Sequence, residues 1–274
     1  MKINNIIIGI LLLLSSCGNH PDVPSSSSRT QRLPDIFPDY CNVTVPYNIA
    51  PLNFMLPTEY EECVARITTS DGQQQTYGEG IKVQIPEDEW HTMLNASKGK
   101  SLQVEVWGKK KGEWLSFNPF KIFIAKELID GYISYRLIEP SYVAWTTMEI
   151  TQRDLSSFEE KQIFNNEITS TEREKGQCIN CHSYQNYKTD NMLFHVRLSN
   201  GGTVIVNEGK PSKVDLRRDY TISGGAYPAW HPTAKLIAFA ACKTRQAFHT
   251  ANHNKIEVYD LASDIILYDV LPTQ

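Results

Sequence analysis

Leu102-Gln103-Val104-Glu105-Val106-Trp107-Gly108-Lys109-Lys110-Lys111-Gly112-Glu113-Trp114-Leu115-Ser116-Phe117-Asn118-Pro119-Phe120-Lys121-Ile122-Phe123-Ile124 alternates apolar and polar side chains, turns at a glycine, and resumes in two more short apolar runs. Leu102, Val104 and Val106 fall on one face of an extended chain, with Gln103 and Glu105 on the other, the two-residue period of a half-buried strand. Lys109 to Gly112 reads as a solvated hairpin tip, with Trp114–Phe117 and Phe120–Ile124 as the strands that follow. Upstream, Ser70-Asp71-Gly72 and Tyr77-Gly78-Glu79-Gly80 are turn signals. Pro86-Glu87-Asp88-Glu89 predicts one short helix, with proline at its start and acidic residues facing the dipole. The region 38–137 is therefore expected to be a β-sandwich of about immunoglobulin size. No catalytic constellation stands out in it, which makes it a structural or docking module.

Downstream, Tyr132 to Ile150 stays strand-like, and Ser156-Ser157-Phe158-Glu159 has the form of a capping box, predicting a helix over 157–167. Residues 138–190 are read as connecting strands, this helix, and the segment Cys178-Ile179-Asn180-Cys181-His182. CxxCH is the attachment signature of a c-type haem. Each thiol adds across one vinyl group, two intervening residues let both sulfurs reach one edge of the macrocycle, and the histidine ligates the iron. Three other chemistries compete. Structural zinc needs four N or S ligands, and no second CxxC or HxxxH pair follows, although His195, His249 and His253 are available. A thioredoxin-like pair needs a helix start within a βαβ unit, which the surroundings do not offer. A disulfide across two residues is strained. The expected cofactor is thus one covalent haem c on Cys178 and Cys181, with His182 as the proximal iron ligand.

The sixth ligand is sought in Met192-Leu193-Phe194-His195-Val196-Arg197-Leu198. Alternation puts Met192 on one face and His195 on the other, so only one of them can serve. His195 is favoured over Met192, with His249 and His253 as further candidates. A His/Met pair raises the potential and two imidazoles lower it.

Met1-Lys2 and the apolar run Ile6–Leu14 suit a signal peptide, being too short to cross a bilayer comfortably. The run ends in Leu14-Ser15-Ser16-Cys17, followed by Gly18, which resembles a bacterial lipobox. The resemblance implies cleavage after residue 16 and lipidation of Cys17. Residues 17–37, with Pro21, Pro24 and four consecutive serines, are expected to form a flexible tether. The expected location is the outer membrane, facing the periplasm. Export permits disulfides, and Cys41 and Cys63 are candidates to pair. Cys242, in an apolar run, is read as a buried free thiol.

The 274 residues are 41% hydrophobic and 21% charged with a formal net charge of −4, an ordinary globular balance that offers nucleic acid no basic footprint. GxSxG, a Gly-rich phosphate loop and HExxH are all missing from the sequence, so no enzymatic activity is expected.

Tyr227-Pro228-Ala229-Trp230-His231-Pro232-Thr233-Ala234-Lys235-Leu236-Ile237-Ala238-Phe239 resembles the TolB-like, WD40-related propeller repeat, Pro-x-Trp-Ser-Pro-x-Gly-x-x-Ile-Ala-Phe. His231 stands at the usual serine and Ala234 at the usual glycine. Lys255–Ser263 continues the blade, and His231 is better explained by a propeller turn than by catalysis. With the haem motif and the lipobox, the chain resembles haem-bearing TolB-like propeller lipoproteins of Gram-negative envelopes. That resemblance implies a mainly β fold in which residues 191–274 form propeller blades. Fewer than 100 residues follow Cys181, enough for about two blades where a closed propeller takes at least four. The propeller is therefore expected to be incomplete. The resemblance also implies single-electron transfer with envelope redox partners. The contrasting expectations are a protein-binding scaffold, or a haem-based sensor with an open sixth position.

Overall fold

A computed structural model describes residues 20–138, 148–167, 177–251 and 256–270. The chain is mainly β and divides into two compact units. One holds the residues up to Gly131 together with Asp154–Phe158, and the other holds Tyr132–Arg153 and Glu159 onward.

The first unit contains β1 (Ser28–Arg29), β2 (Thr44–Val45), β3 (Phe54–Met55), β4 (Glu62–Thr68), β5 (Gln74–Tyr77), β6 (Lys82–Val83), α1 (Glu87–Ala96), β7 (Ser101–Lys110), β8 (Glu113–Ser116) and β9 (Phe120–Ile124). The main sheet runs β1-β8-β7-β4-β5, with β9 on the first half of β7 and β2 beyond it, while β3 and β6 form a separate ribbon. The alternation around Leu102 places Leu102, Val104 and Val106 at 1% exposure or less. Lys110 pairs with Glu113 across a tip in which Lys111 and Gly112 both have positive φ (53° and 78°), as a two-residue hairpin turn requires. The lysines of that tip are solvated and paired, Lys109 with Glu62 at 2.7 Å and Lys110 with Glu59 at 3.0 Å. Helix α1 follows Pro86 and buries Trp90, Met93 and Leu94, one stripe at i, i+3 and i+4, in the same core as β7.

Two expectations fail here. From His20 on, the supposed tether is ordered. β1 pairs in parallel with β8, the Thr30 N–H donates to the Ser116 carbonyl at 2.9 Å, and Ile36 is a core residue. Its backbone polar groups find partners on the sheet, which polar composition alone could not announce. Cys41 and Cys63 are free thiols. Cys63 is buried in β4 opposite Gly108, and the Cys41 thiol faces the Pro34 carbonyl. Burial lifts both thiols to about 12.

The second unit is a succession of three sheets in chain order, the second and third antiparallel throughout. β10 (Tyr132–Leu137), β11 (Glu149–Asp154) and β12 (Glu160–Asn165) form the first. β13 (Gln177–Tyr184), β14 (Met192–Leu198), β15 (Gly202–Asn207) and β16 (Lys210–Val214) form the second, and β17 (Ala226–Trp230), β18 (Leu236–Phe248) and β19 (Ile256–Asp269) the third. Ile150 of the first sheet packs with Ile179, Met192, Phe194 and Val196 of the second. On the opposite face of the second sheet, Leu193 and Ile205 pack with Ile237 and Phe239 of the third.

The helix expected over 157–167, and with it the helical haem-binding segment, is replaced by strand β12. Asp154 accepts the Ser156 N–H at 2.8 Å and its hydroxyl at 2.7 Å, so the Ser-x-x-Glu pattern belongs to a local turn. β12 then pairs with β11, and its Phe164 stacks against Phe194 with 4.7 Å between ring centroids. Tyr132–Leu137, expected to close the sandwich, instead begins the second unit.

Candidate functional site

The CxxCH segment lies on β13, an edge strand of the second sheet. Ile179 is fully buried and fixes the strand's facing. Cys178 pairs opposite Arg197 and Asn180 opposite His195. Directly opposed residues share a face, so Cys178, Asn180, His195 and Arg197 lie together on the side away from Ile179. The register then breaks between Asn180 and Ser183, leaving Cys181 and His182 in a bulge. Cys181 has φ 56°, a left-handed conformation unusual for a residue with a Cβ. The Asn180 side-chain oxygen accepts the Cys181 N–H at 2.8 Å and also a hydrogen bond from the Arg136 guanidinium. One asparagine between the two cysteines therefore holds the bulge and ties it to β10.

An unbroken strand sends residues i and i+3 to opposite faces, and the bulge interrupts that alternation between Asn180 and Ser183. Burial raises the Cys178 thiol above its usual range, Arg197 and Arg136 pull it down, and the neighbouring Cys181 adds to the rise. Both cysteines are part-exposed. The Cys178 thiol donates to the Ile179 carbonyl at 3.9 Å, a loose contact. His182 is half-buried, its Nε2 is 3.4 Å from the Ser134 carbonyl, and its ring meets Tyr184 edge-on at 6.3 Å. The donor set matches a covalent haem c in kind: two part-exposed cysteines two residues apart, and one imidazole whose Nε2 makes a long contact. A haem takes its thiols at carbon and needs one protein donor at iron. Among the described residues, no group of three His, Cys, Asp or Glu side chains converges as a metal ion would need.

The sixth-ligand candidates separate as alternation requires. Met192 is 7% exposed and packs with Ile179, away from the Cys178 face. His195 is on the Cys178 face, its Nδ1 3.1 Å from the Thr203 hydroxyl. Burial first, then Arg197, pushes its imidazole down to about 4, with Asp215 opposing. The ring is thus neutral near pH 7 and keeps a lone pair. It lines a cavity of about 490 Å³ with Arg197, Thr203, Asp215, Arg217 and Gly225. His249 lies 3.1 Å from Glu257 across the β18–β19 hairpin. His253 and Cys17, with the whole lipobox, lie outside the described residues. Cys242 is part-exposed, its sulfur 3.7 Å from the Ser263 hydroxyl, and is not the buried thiol expected.

His231 is structural. Its Nδ1 accepts the N–H groups of Thr233 at 3.2 Å and Ala234 at 2.9 Å, closing the turn before β18. Sequence reasoning missed Asn180 and Arg136. Asparagine's habit of bonding nearby backbone was the available signal for Asn180, and nothing local marked Arg136, 44 residues away. No protein-family description, curated protein or solved structure matches the chain.

Proposed function

We propose that this chain is a lipid-anchored c-type cytochrome of the bacterial envelope that passes single electrons within a redox complex. Cys178 and Cys181 hold the macrocycle and His182 holds the iron, whose one-electron exchange is the chemistry the group supplies. The carrying observation is the CxxCH spacing in a chain with a signal-like N-terminus, set on a bulged strand with both cysteines part-exposed. The protein's own part is to orient and to tune. Asn180 and Arg136 fix the bulge, Arg197 and Arg136 place positive charge beside Cys178, and neutral His195 waits on the same face. In this reading the first unit is the immunoglobulin-like docking module. The successive sheets of the second unit are TolB-like propeller blades, a reading supported by their chain-order stacking and by the His231 turn.

The test is expression of the full chain with a haem-maturation system, followed by pyridine haemochrome spectra and the mass of the Cys178–His182 peptide. One haem c per chain, lost in Cys178→Ala/Cys181→Ala, is expected. A colourless matured protein removes the cytochrome reading.

A second reading, a TolB-like protein-binding scaffold whose haem is structural or absent, is favoured by the apolar outer side of the third sheet. There Ile265 and Leu267 are 72% and 65% exposed. Reversible reduction of the haem by a physiological donor separates the two, since a scaffold need show none.

A further inference from the structure

The ordering of residues 20–37 changes what a lipid at Cys17 does to the first unit. His20 is the first described residue and is pinned. Its Nδ1 lies 2.8 Å from the Thr76 carbonyl, its Nε2 3.5 Å from a Glu89 carboxylate oxygen, and its ring meets Tyr77 edge-on at 5.5 Å. Glu89 in turn accepts the Tyr77 hydroxyl at 2.7 Å. The chain then crosses to the other side of the sheet. There Ser28 and Arg29 pair with Leu115 and Ser116, and the Asn118 N–H donates to the Arg32 carbonyl at 2.8 Å. β5 and β1 are opposite edges of the main sheet, four strand spacings or about 19 Å apart. The segment between His20 and β1 is therefore a strap fastened at both edges.

Three residue steps separate Cys17 from His20, and an extended chain covers at most about 3.6 Å per step, or roughly 11 Å. A free tether of residues 17–37 would instead have a root-mean-square reach of about 25 Å with no preferred side. Resting on the lipoprotein reading proposed above, we infer that the bilayer is held against one particular face of the first unit, the β5 edge and the first turn of α1. That face is polar, with Gln74, Gln75, Glu87 and Asp88 exposed, so it rests among headgroups and does not insert. Its two exposed carboxylates, Glu87 and Asp88, suit the ammonium groups of zwitterionic lipids and repel anionic ones. The strap thus works as an orienting device: the anchor fixes which side of the first unit meets the membrane.

The experiment uses the full, matured chain in vesicles of phosphatidylethanolamine and phosphatidylcholine carrying an acceptor dye on a fraction of the headgroups. A donor fluorophore is introduced through a genetically encoded azido residue at position 75 or, separately, at position 29, both exposed. Energy transfer from position 75 is expected to exceed that from position 29 by about twofold or more, given the ~19 Å between the edges. Inserting about ten Gly and Ser residues between Cys17 and His20 is expected to erase the difference. Mass spectrometry of the N-terminal peptide is run on the same material. Equal transfer from both positions in a lipidated chain, or a difference that survives the insertion, overturns the orientation alone. A peptide without diacylglycerol on Cys17 overturns the anchor reading and this inference together.

Discussion

Ile179 is the side chain that turns β13 so that Cys178 and Asn180 face away from the core, and Ile179→Ala tests this directly. Its side chain is 0% exposed among Ile150, Met192, Phe194 and Val196. The substitution removes three carbons, which at about 0.8 kcal/mol each amounts to about 2.4 kcal/mol of transfer free energy. The unfilled cavity raises this toward the middle of the observed ~2–5 kcal/mol range for such truncations, and about 3–4 kcal/mol is expected. Ile265→Ala is the control. It is the same chemical change at a residue 72% exposed in the same unit, so about 0.5 kcal/mol or less is expected. Because the chain has two units, a single global unfolding midpoint would mix them. Hydrogen exchange read in peptides from β13 to β15 reports on the second unit by itself. With a urea dependence of about 2 kcal/mol per molar, the transition in these peptides should fall by about 1.5–2 M for Ile179→Ala and stay in place for the control. Equal shifts for the two variants would refute the assignment of Ile179 as the strand's anchor.

Gly78→Ala should destabilise the first unit by about 2 kcal/mol or more in thermal melts, because an added Cβ would stand 2.1 Å from the main-chain carbonyl oxygen of Cys63. His195 is held neutral in the fold, so the unfolded chain binds its proton first as pH falls. The stability this supplies is complete above about pH 6.5 and is lost as pH drops toward 4. The full linkage of about 3 kcal/mol shrinks to about 1–2 kcal/mol for a half-buried ring screened by solvent. Urea titrations from pH 7 to 4 should therefore slope less steeply for His195→Gln, and an unchanged slope would count against the buried neutral imidazole. His231→Ala should cost about 1 kcal/mol, as removal of a capping acceptor does, and His231→Ser should recover most of it; equal losses would show that the ring's packing matters more than its two N–H bonds.

Much of the architecture is written in short-range periodicity. Leu102, Val104 and Val106 alternate because one face of β7 is core, and Met192 and His195 separate because β14 obeys the same period. Pro86 with three acidic neighbours announced α1, the one α-helix among the described residues. The misreadings share a cause. Ser156 to Glu159 matched a capping box, yet Asp154, two residues before it, captured Ser156 and freed the chain to pair as β12. The strap was read as a free tether because two-residue parallel pairing uses backbone groups and leaves no apolar pattern. At the site, the spacing of Cys178, Cys181 and His182 was legible. The bulge at Cys181 was not, because it depends in part on Arg136 of β10, a residue distant in sequence.

That dependence can be tested at Asn180. On a regular strand Cys181 would face away from Cys178, and two sulfurs on opposite faces cannot reach one edge of a porphyrin. The left-handed turn at Cys181 costs about 1–2 kcal/mol for a residue with a Cβ, and the Asn180 oxygen offsets it by accepting from both the Cys181 N–H and Arg136. Asn180→Leu leaves the CxxCH spacing intact but removes both bonds, so the segment should relax toward regular pairing with β14. Asn180→Asp keeps the acceptor and strengthens the bond to Arg136. If the bulge serves attachment, Asn180→Leu should lower the fraction of chains carrying two thioether bonds while Asn180→Asp does not, and both should keep the exchange protection of β14 and β15. Full haem loading in Asn180→Leu would mean that the spacing alone suffices and that the bulge is a feature of the fold without a part in the chemistry.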